Sequence, residues 1–282
     1  MKNALFATLG FCLFFSLQIV LQKKFLITQI NPIQMNFLMS FTSLTLLTVY
    51  GLLFNKTIFS FKLVKPVFKP YLIATFLWIV ADLFAIFGLK LSSSINYSIL
   101  SRTTVFFTYF MAVLFFNETY VLNKVASIFL SLIGGFLVVY NFKTTIAINP
   151  GDLLFLGFAI FISLSGLFRS KIFKQISPIH LTYLMFCLST IVLGTLTFFV
   201  APLKTFAIPQ IVIIISILGL LGFNLVNFAI QKAGASFFSV VSSLLPLFVA
   251  LFSYFILDSL PSINQLIGGL IIIISIYIFQ KK

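Results

Sequence analysis

Long apolar segments, separated by short polar links, make up most of this sequence. Ten of them are close to the roughly 20 residues that an α-helix needs to cross a bilayer. Prolines stand at or just before several of their starts, where a missing backbone N–H costs least. The segments span 4–22, 32–54, 71–90, 94–116, 122–141, 150–169, 178–200, 208–231, 236–257 and 262–280. This pattern predicts an all-α integral membrane protein with ten transmembrane helices.

The composition points to the same class of protein. Of the 282 residues, 61% are hydrophobic and 8% are charged, whereas soluble domains are about a quarter charged. A net charge of +14 would suggest nucleic-acid binding in a soluble protein, but here the basic residues lie mostly in links between apolar segments. Cys12 and Cys187 lie within such segments and are interpreted as small buried side chains. With His180 as the single histidine, we expect neither a multi-histidine metal site nor a cofactor.

The basic residues of the links predict the orientation. If the N-terminus lies inside, the inside segments carry twelve Lys and Arg and the outside links carry five. The outside set is Lys23, Lys24, Lys90, Lys143 and Lys204, and the inside set includes Arg169. The positive-inside rule then places both termini in the cytoplasm. Abundant residues with AT-rich codons indicate a low-GC microbe, so we expect a multi-pass protein of the bacterial inner membrane.

The two halves of the chain resemble each other. INPIQMNFLMS near the second segment matches ISPIHLTYLMF near the seventh, with Pro32 falling on Pro178. Further on, a constant offset of 141 aligns Ser98 with Ser239 and Ser101 with Ser242. We therefore expect two five-helix repeats, 1–142 and 143–282, within one membrane domain. Because five is odd, the second repeat enters the membrane inverted, as in many alternating-access carriers.

The last two segments, GASFFSVVSSLLPLFVALFSYFILDSLPSINQLIGGLIIIISIYIF, carry a recognisable set of features. Small residues open the helix, Pro246 lies within it, an acidic residue follows, and Gly268 and Gly269 form a pair. SINYSILSRTTVFFTYFMAVLFFNETYVLNKVASIFLSLIGGF is a weaker copy in the first half, with Glu118 at the acidic position and Val105 where the second half has Pro246. The chain thereby resembles the EamA-type transporters of the drug/metabolite transporter superfamily. The resemblance implies ten helices, cytoplasmic termini and movement of a small metabolite, often the export of amino acids or related compounds.

Two charges are predicted to lie deep in the membrane, Asp82 and Arg102. Each is ten residues from the tight link near Ser92, so an antiparallel helix pair would place both about 15 Å deep. In our hypothesis Arg102 holds a carboxylate or phosphate, while Asp82 neutralises Arg102 in the empty carrier or binds a substrate amine. The repeat-related positions are the uncharged Phe223 and Ser243, so the scaffold does not require this pair. The alternative is a buried salt bridge that locks the two helices together.

Further polar and aromatic residues within the segments are candidates for the substrate path. Each asparagine also fits a helix–helix hydrogen bond, and each serine also fits close helix packing. Pro246 is a candidate gate, because a proline can bend a helix and free a carbonyl group. The complete set of candidate substrate-binding residues is Gln18, Trp78, Asp82, Asn96, Arg102, Asn224, Asn227, Ser239 and Ser243.

Together, the repeat and the resemblance predict a secondary transporter that exports an amino acid or a related zwitterion or anion by alternating access. The expected partners are this small-molecule substrate, membrane lipids and protons as a coupling ion, with no nucleic acid; facilitated diffusion and exchange stay open. The alternative within transport is a lipid or polyprenyl-phosphate head-group translocator in which Arg102 holds the head group. An intramembrane enzyme is disfavoured because metal ligands and a second deep carboxylate are missing. A channel is disfavoured because the charges form no rings.

Overall fold

The computed structural model of the protein describes residues 2–28, 30–92, 94–116, 121–139, 150–203, 208–257 and 263–280. The expected repeat boundary at 142/143, Glu118, and the acidic position of the second repeat at 258–259 lie outside these ranges. Within them the protein is predominantly helical and contains no strand, as the sequence pattern predicts.

The helices of the first half are α1 (Lys2–Thr28), α2 (Pro32–Phe54), α3 (Phe68–Leu91), α4 (Ser94–Leu100), α5 (Thr104–Phe116) and α6 (Leu122–Val139). Those of the second half are α7 (Pro150–Ile172), α8 (Pro178–Val200), α9 (Gln210–Val241), α10 (Leu245–Leu257) and α11 (Ile263–Gln280). Short 3-10 segments join α4 to α5 at Ser101–Thr103 and α9 to α10 at Ser242–Leu244.

Six helical spans are long and apolar enough to cross a membrane by themselves. They are Lys2–Leu26, Pro32–Phe54, Val64–Leu91, Pro150–Ile172, Pro178–Val200 and Gln210–Phe252. The apolar helices Ser101–Phe115 and Leu122–Gly134 are shorter. The protein is therefore a multi-pass membrane protein, and the number of ten crossings stays a prediction.

Local sequence explains several helix boundaries. The Asn31 side chain accepts a hydrogen bond from the Ile33 N–H and Pro32 begins α2, which satisfies a backbone donor that the first helical turn leaves free. Inside α9, Gly234 has φ 84° and ψ 164°, a conformation that a residue with a Cβ atom rarely adopts. This glycine breaks α9 into two helical parts where the apolar pattern places the link between the eighth and ninth segments.

Two predicted boundaries are wrong. Helix α1 continues to Thr28, so Lys23 and Lys24 lie on a helix rather than in a link. The Lys23 Nζ donates to the carbonyl oxygens of Leu89, at 2.7 Å, and Ser92, at 2.6 Å. These carbonyls belong to the end of α3, where helix carbonyls lack intrahelical donors and attract a cation. The link predicted at 55–70 is also shorter, because α3 begins at Phe68. Two 3-10 turns, at 56–59 and 61–67, make up most of this link.

The helices pack across the two halves in a symmetric pattern. Helix α1 packs on α9 while α3 packs on α7, and α2 packs on α8 while α6 packs on α11. The two 3-10 turns, at 101–103 and 242–244, are themselves 141 residues apart, the offset of the sequence repeat. Each half therefore buries much of its apolar surface against the other, and the polar site lies between the halves.

Candidate functional site

A cavity of about 110 Å³ lies between α1, α3, α5, α7 and α9. We call it the cationic lobe, because its lining includes Arg102 and Arg169 together with the carboxylate of Asp82. Five hydroxyl side chains also line it, namely Thr104, Thr108, Ser163, Ser239 and Ser242. Its volume exceeds that of a few water molecules, so a small polar ligand group has room beside these charges.

A second cavity of about 70 Å³ adjoins the first and is lined from α1, α2, α3, α8 and α9. We call it the polar lobe, and its polar residues other than Asp82 are uncharged: Gln18, Asn36, Ser40, Ser43, Ser189 and Ser216. Both lobes share an aromatic boundary of Phe11, Phe15, Trp78 and Phe223. Asp82 lines both lobes at this boundary.

The aromatic boundary is closely packed. The ring centroids of Trp78 and Phe223 are 4.7 Å apart, those of Trp78 and Phe186 are 5.2 Å apart, and those of Phe11 and Phe15 are 4.9 Å apart. These distances are typical of favourable aromatic pairs. A substrate that occupies both lobes must therefore pass between aromatic faces, next to the Asp82 carboxylate.

Arg102 reaches the cationic lobe from the 3-10 turn at Ser101–Thr103. Its side chain is 5% exposed; Nη1 donates to the Ser242 carbonyl oxygen and Nη2 to the Ser101 Oγ at 3.1 Å. Its Nε is buried without a hydrogen-bond partner among the described residues. The guanidinium thus links the repeat-related turns and keeps a donor available.

Arg169 lies on the last turns of α7 and is 2% exposed. Its Nη1 donates to the Asn227 Oδ1 at 2.7 Å, and its Cζ lies 5.3 Å from the centroid of Phe223. Asn227 in turn donates through Nδ2 to the Thr182 Oγ1 at 2.8 Å. The interpretation of Arg169 as a cytoplasmic-link residue is therefore wrong, because α7 continues to Ile172 and buries this side chain.

The sequence matches a known protein family. The EamA-like transporter family matches it twice, over residues 2–140 and 149–280. The chain belongs to the EamA-like transporter family. It is therefore a membrane transporter of the drug/metabolite transporter superfamily, and the members of this family are transporters rather than enzymes.

Solved structures support the fold of this EamA-like transporter. A structure described only as "Crystal structure of protein" superposes with a TM-score of 0.76 over 99% of this chain and 97% of that chain, at 13% sequence identity. At that identity the likeness shows the fold alone. No curated protein matches the sequence significantly.

In this EamA-like transporter, Asp82 and Arg102 line the same lobe but do not pair with each other. Among the described residues, no hydrogen bond or ion pair joins their side chains, and Arg102 donates to Ser242 and Ser101 instead. The salt bridge that would lock helix to helix is thus not formed in this conformation. Both groups keep hydrogen-bonding capacity for a ligand.

The other candidates divide into those that line the cavities and those that do not. Gln18, Trp78 and Ser239 line them, and Ser239 also donates to the Thr108 Oγ1 at 3.0 Å. Asn224, Asn227, Ser243 and Pro246 line neither lobe. The Asn96 side chain lies outside the described part of the structure.

The residues outside the lobes have packing or positioning contacts instead. Asn224 donates to the Leu220 carbonyl oxygen at 3.0 Å, and Ser243 donates to the Ser239 carbonyl oxygen at 3.4 Å. Asn227 also lines neither lobe, but its hydrogen bond orients Arg169, which lines the cationic lobe. Within the described residues, no group of three or more potential metal ligands occurs.

Sequence reasoning missed two important lining residues, Arg169 and Asn36. One signal pointed to Arg169: the chain has sixteen Lys but only two Arg, and arginine is preferred where a buried cation must bond and stack. Asn36 lies in an apolar segment that carries several other polar residues, so nothing local distinguished it.

Proposed function

We propose that this protein is a secondary transporter that exports a small anionic or zwitterionic metabolite, such as an amino acid, by alternating access. The observation that carries the proposal is the presence of two buried arginines and one half-buried carboxylate in a single cavity between the two repeats. Charges within a membrane are expensive and usually face a substrate path.

The balance of charge in the cationic lobe favours a substrate with an anionic group. Two guanidinium groups face one carboxylate there, and each arginine has a buried Nε without a partner among the described residues. A carboxylate or phosphate would accept from these donors and offset the excess positive charge. In a zwitterion, the ammonium group would lie near Asp82 at the aromatic boundary.

The arrangement of the bundle ends supports alternating access. At one end, Lys23 joins α1 to the end of α3, and the Ser92 Oγ donates to Asp152 of α7 at 2.6 Å. The cationic lobe instead extends toward the other end, where Arg169 and Ala235 line it beside the break at Gly234. With the N-terminus in the cytoplasm, this conformation would be closed outward and would receive substrate from inside.

Asp82 is also the proposed site of proton coupling, because it is the carboxylate that lines both lobes. Protonation would change the charge of the cavity by one unit during the transport cycle. In proteoliposomes, an imposed pH gradient should then alter the initial transport rate. A rate that does not respond to the gradient would instead indicate facilitated diffusion or exchange.

The first experiment is thermal unfolding of the purified protein against amino acids, polyamines, nucleotides, sugar phosphates and lipid head groups. A ligand that binds only the folded state at 100 times its Kd stabilises it by about 2.7 kcal/mol. Stabilisation by zwitterionic or anionic metabolites, followed by their uptake into proteoliposomes, is the expected result. Stabilisation by phosphorylated lipids alone would contradict it and identify a head-group translocator, and stabilisation by none would remove the case for a binding site.

A further inference from the structure

The polar lobe contains a buried carboxamide that has no hydrogen-bond partner in the part of the chain that the structure describes. Asn36 is 2% exposed, and neither its Nδ2 nor its Oδ1 has a hydrogen-bond partner among the described residues. Buried polar side chains nearly always have such partners. Asn36 lines the cavity and has neither its donor nor its acceptor paired among the described residues. It can therefore hydrogen-bond to a molecule that enters the cavity.

A second unpaired group lines the same lobe from another helix. Gln18 of α1 is 6% exposed, and its Oε1 lacks a partner among the described residues. Gly219 of α9 leaves room for this side chain, because a Cβ at that position would lie only 3.0–3.1 Å from the end of Gln18. Two helices therefore present one donor and two acceptors to the polar lobe.

The fold itself does not require an asparagine at position 36. The repeat-related residue is Thr182, whose Oγ1 accepts from Asn227 at 2.8 Å. The second half thus pairs its polar group internally, whereas Asn36 of the first half has no partner among the residues that the structure describes. Two serines of the lobe already have protein partners and do not bond Asn36. Ser216 donates to a carbonyl oxygen of its own helix at 2.7 Å, and Ser40 bonds Thr190 at 2.9 Å.

We propose that the polar lobe is a subsite for a neutral primary carboxamide of the transported molecule. A carboxamide presents N–H and C=O side by side, so it matches the free Oδ1 and Nδ2 of Asn36 with two hydrogen bonds. Its second N–H matches the free Oε1 of Gln18. A charged end is less suitable, because none of the side chains that line this lobe is charged except Asp82 at its boundary.

This inference rests on the proposed function and makes its substrate more specific. An α-carboxylate in the cationic lobe, an ammonium group near Asp82 and a carboxamide in the polar lobe describe an amino acid with a carboxamide side chain. The aromatic boundary between the lobes would contact the short apolar stem that joins these groups.

The test compares side chains of similar size in the purified full-length protein. Glutamine and asparagine are titrated against methionine and leucine, which replace the carboxamide with apolar groups, and binding is followed by thermal unfolding. The carboxamide amino acids should bind at least about tenfold more tightly, because the apolar analogues leave the polar groups of the lobe unpaired. Equal binding of both classes would overturn the inference and leave the proposed function intact.

The variant Asn36→Leu tests the assignment of the residue. It should remove the preference for carboxamides by weakening the binding of glutamine and asparagine, while methionine and leucine bind as tightly as before or more tightly, because one polar group that they leave unpaired is gone. The matched control is Thr45→Val on the same helix, where the exposed hydroxyl bonds to the Phe41 carbonyl oxygen of its own helix; it should keep the preference. If Asn36→Leu keeps the preference, or weakens both classes equally, the subsite is not at Asn36.

A measurement without ligand separates binding from a structural role. Because Asn36 has no protein partner among the described residues, Asn36→Leu should leave the melting temperature unchanged or raise it. A lower melting temperature would show that Asn36 stabilises the fold, contrary to the inference.

Propionamide, which carries no charge, separates the subsite from the proposed function. If it stabilises the wild type but not Asn36→Leu, while no amino acid binds, then the subsite stands and the proposed amino-acid substrate fails. If neither propionamide nor any amino acid binds, both fail.

Discussion

Asn227 positions Arg169 from a helix 58 residues further along the chain. The Arg169 Nη1 donates to the Asn227 Oδ1 at 2.7 Å, and the guanidinium carbon lies 5.3 Å from the Phe223 ring centroid. Asn227 and Phe223 are four residues apart and so share one face of α9. Since Asn227 is itself fixed by Thr182, helices α7, α8 and α9 together fix one cation of the cavity.

Replacing Asn227 with alanine should weaken substrate binding although Asn227 lines neither lobe. Arg169 would lose its short side-chain partner, and Thr182 would lose a donor. We expect destabilisation of about 1–3 kcal/mol and roughly tenfold weaker binding of an anionic ligand. Thermal unfolding with and without ligand measures both. The exposed Lys174 beyond α7 provides the control: Lys174→Gln should change neither, and an equal effect in both variants would contradict the positioning role.

Arg169→Lys should also weaken binding. Lysine keeps the charge, but it lacks the planar group that bonds Asn227 while lying over Phe223. We expect a higher KM for transport in proteoliposomes and destabilisation of about 1–3 kcal/mol, because the buried Asn227 amide loses the same hydrogen bond. Wild-type kinetics in this variant would mean that Arg169 contributes only a positive charge.

Asp82→Asn and Arg102→Gln should weaken the binding of different chemical groups of the substrate. Arg102→Gln removes a cation from the cationic lobe, so it should weaken the binding of all ligands with a carboxylate. Asp82→Asn removes the carboxylate, so it should weaken zwitterions while leaving simple anions bound equally or more tightly. The measurement is a ligand titration of each variant with an amino acid and with its deaminated analogue. If both variants fold and transport normally, these residues are not part of the site.

Lys23→Met should loosen the closed end of the bundle. Its Nζ bonds two carbonyl oxygens at the end of α3, and we expect a loss of about 1–2 kcal/mol when these charge-assisted bonds are removed. Accessibility of a cysteine introduced at the buried Leu89, measured by thiol labelling from each side of the membrane, should increase. Lys24→Met is the control on the same helix, because Lys24 is exposed. Equal labelling in both variants would show that Lys23 does not hold this end closed.

Gly151→Ala should disrupt the contact between α3 and α7. A Cβ there would lie 2.8 Å from the Ser92 Cβ and 2.9 Å from the Gly88 carbonyl oxygen, so the backbone of one helix must move. Overpacking of this kind destabilises by about 1–3 kcal/mol. Gly222→Ala is the control, since its nearest neighbour would be Phe11 at an ordinary 3.6 Å. Thermal unfolding compares the two, and similar melting temperatures would contradict the tight approach seen at Gly151.

The apolar pattern by itself determined that the protein is helical and membrane-embedded. Segments of bilayer length leave the helix as the conformation that satisfies every backbone group within the segment. The repeat was also visible in the sequence, because matched serines and prolines recur at a constant offset. The equal distance of Asp82 and Arg102 from Ser92 predicts a similar depth for both; the structure shows that they line one cavity, and their depth in the membrane stays a prediction.

The tertiary structure decided how the polar groups are used. Arg169 is the last residue of the predicted apolar segment 150–169 and is predicted to belong to a cytoplasmic link, yet it is buried because Asn227 and Phe223 approach it from another helix. Arg102 and Asp82 share a lobe without pairing, because Ser242 of the other repeat supplies the carbonyl oxygen that Arg102 bonds. Asn36 has no hydrogen-bond partner among the described residues, whereas the repeat-related Thr182 accepts a hydrogen bond from Asn227. Each of these outcomes depends on atoms far apart in the chain, which no local pattern of apolar and polar residues records.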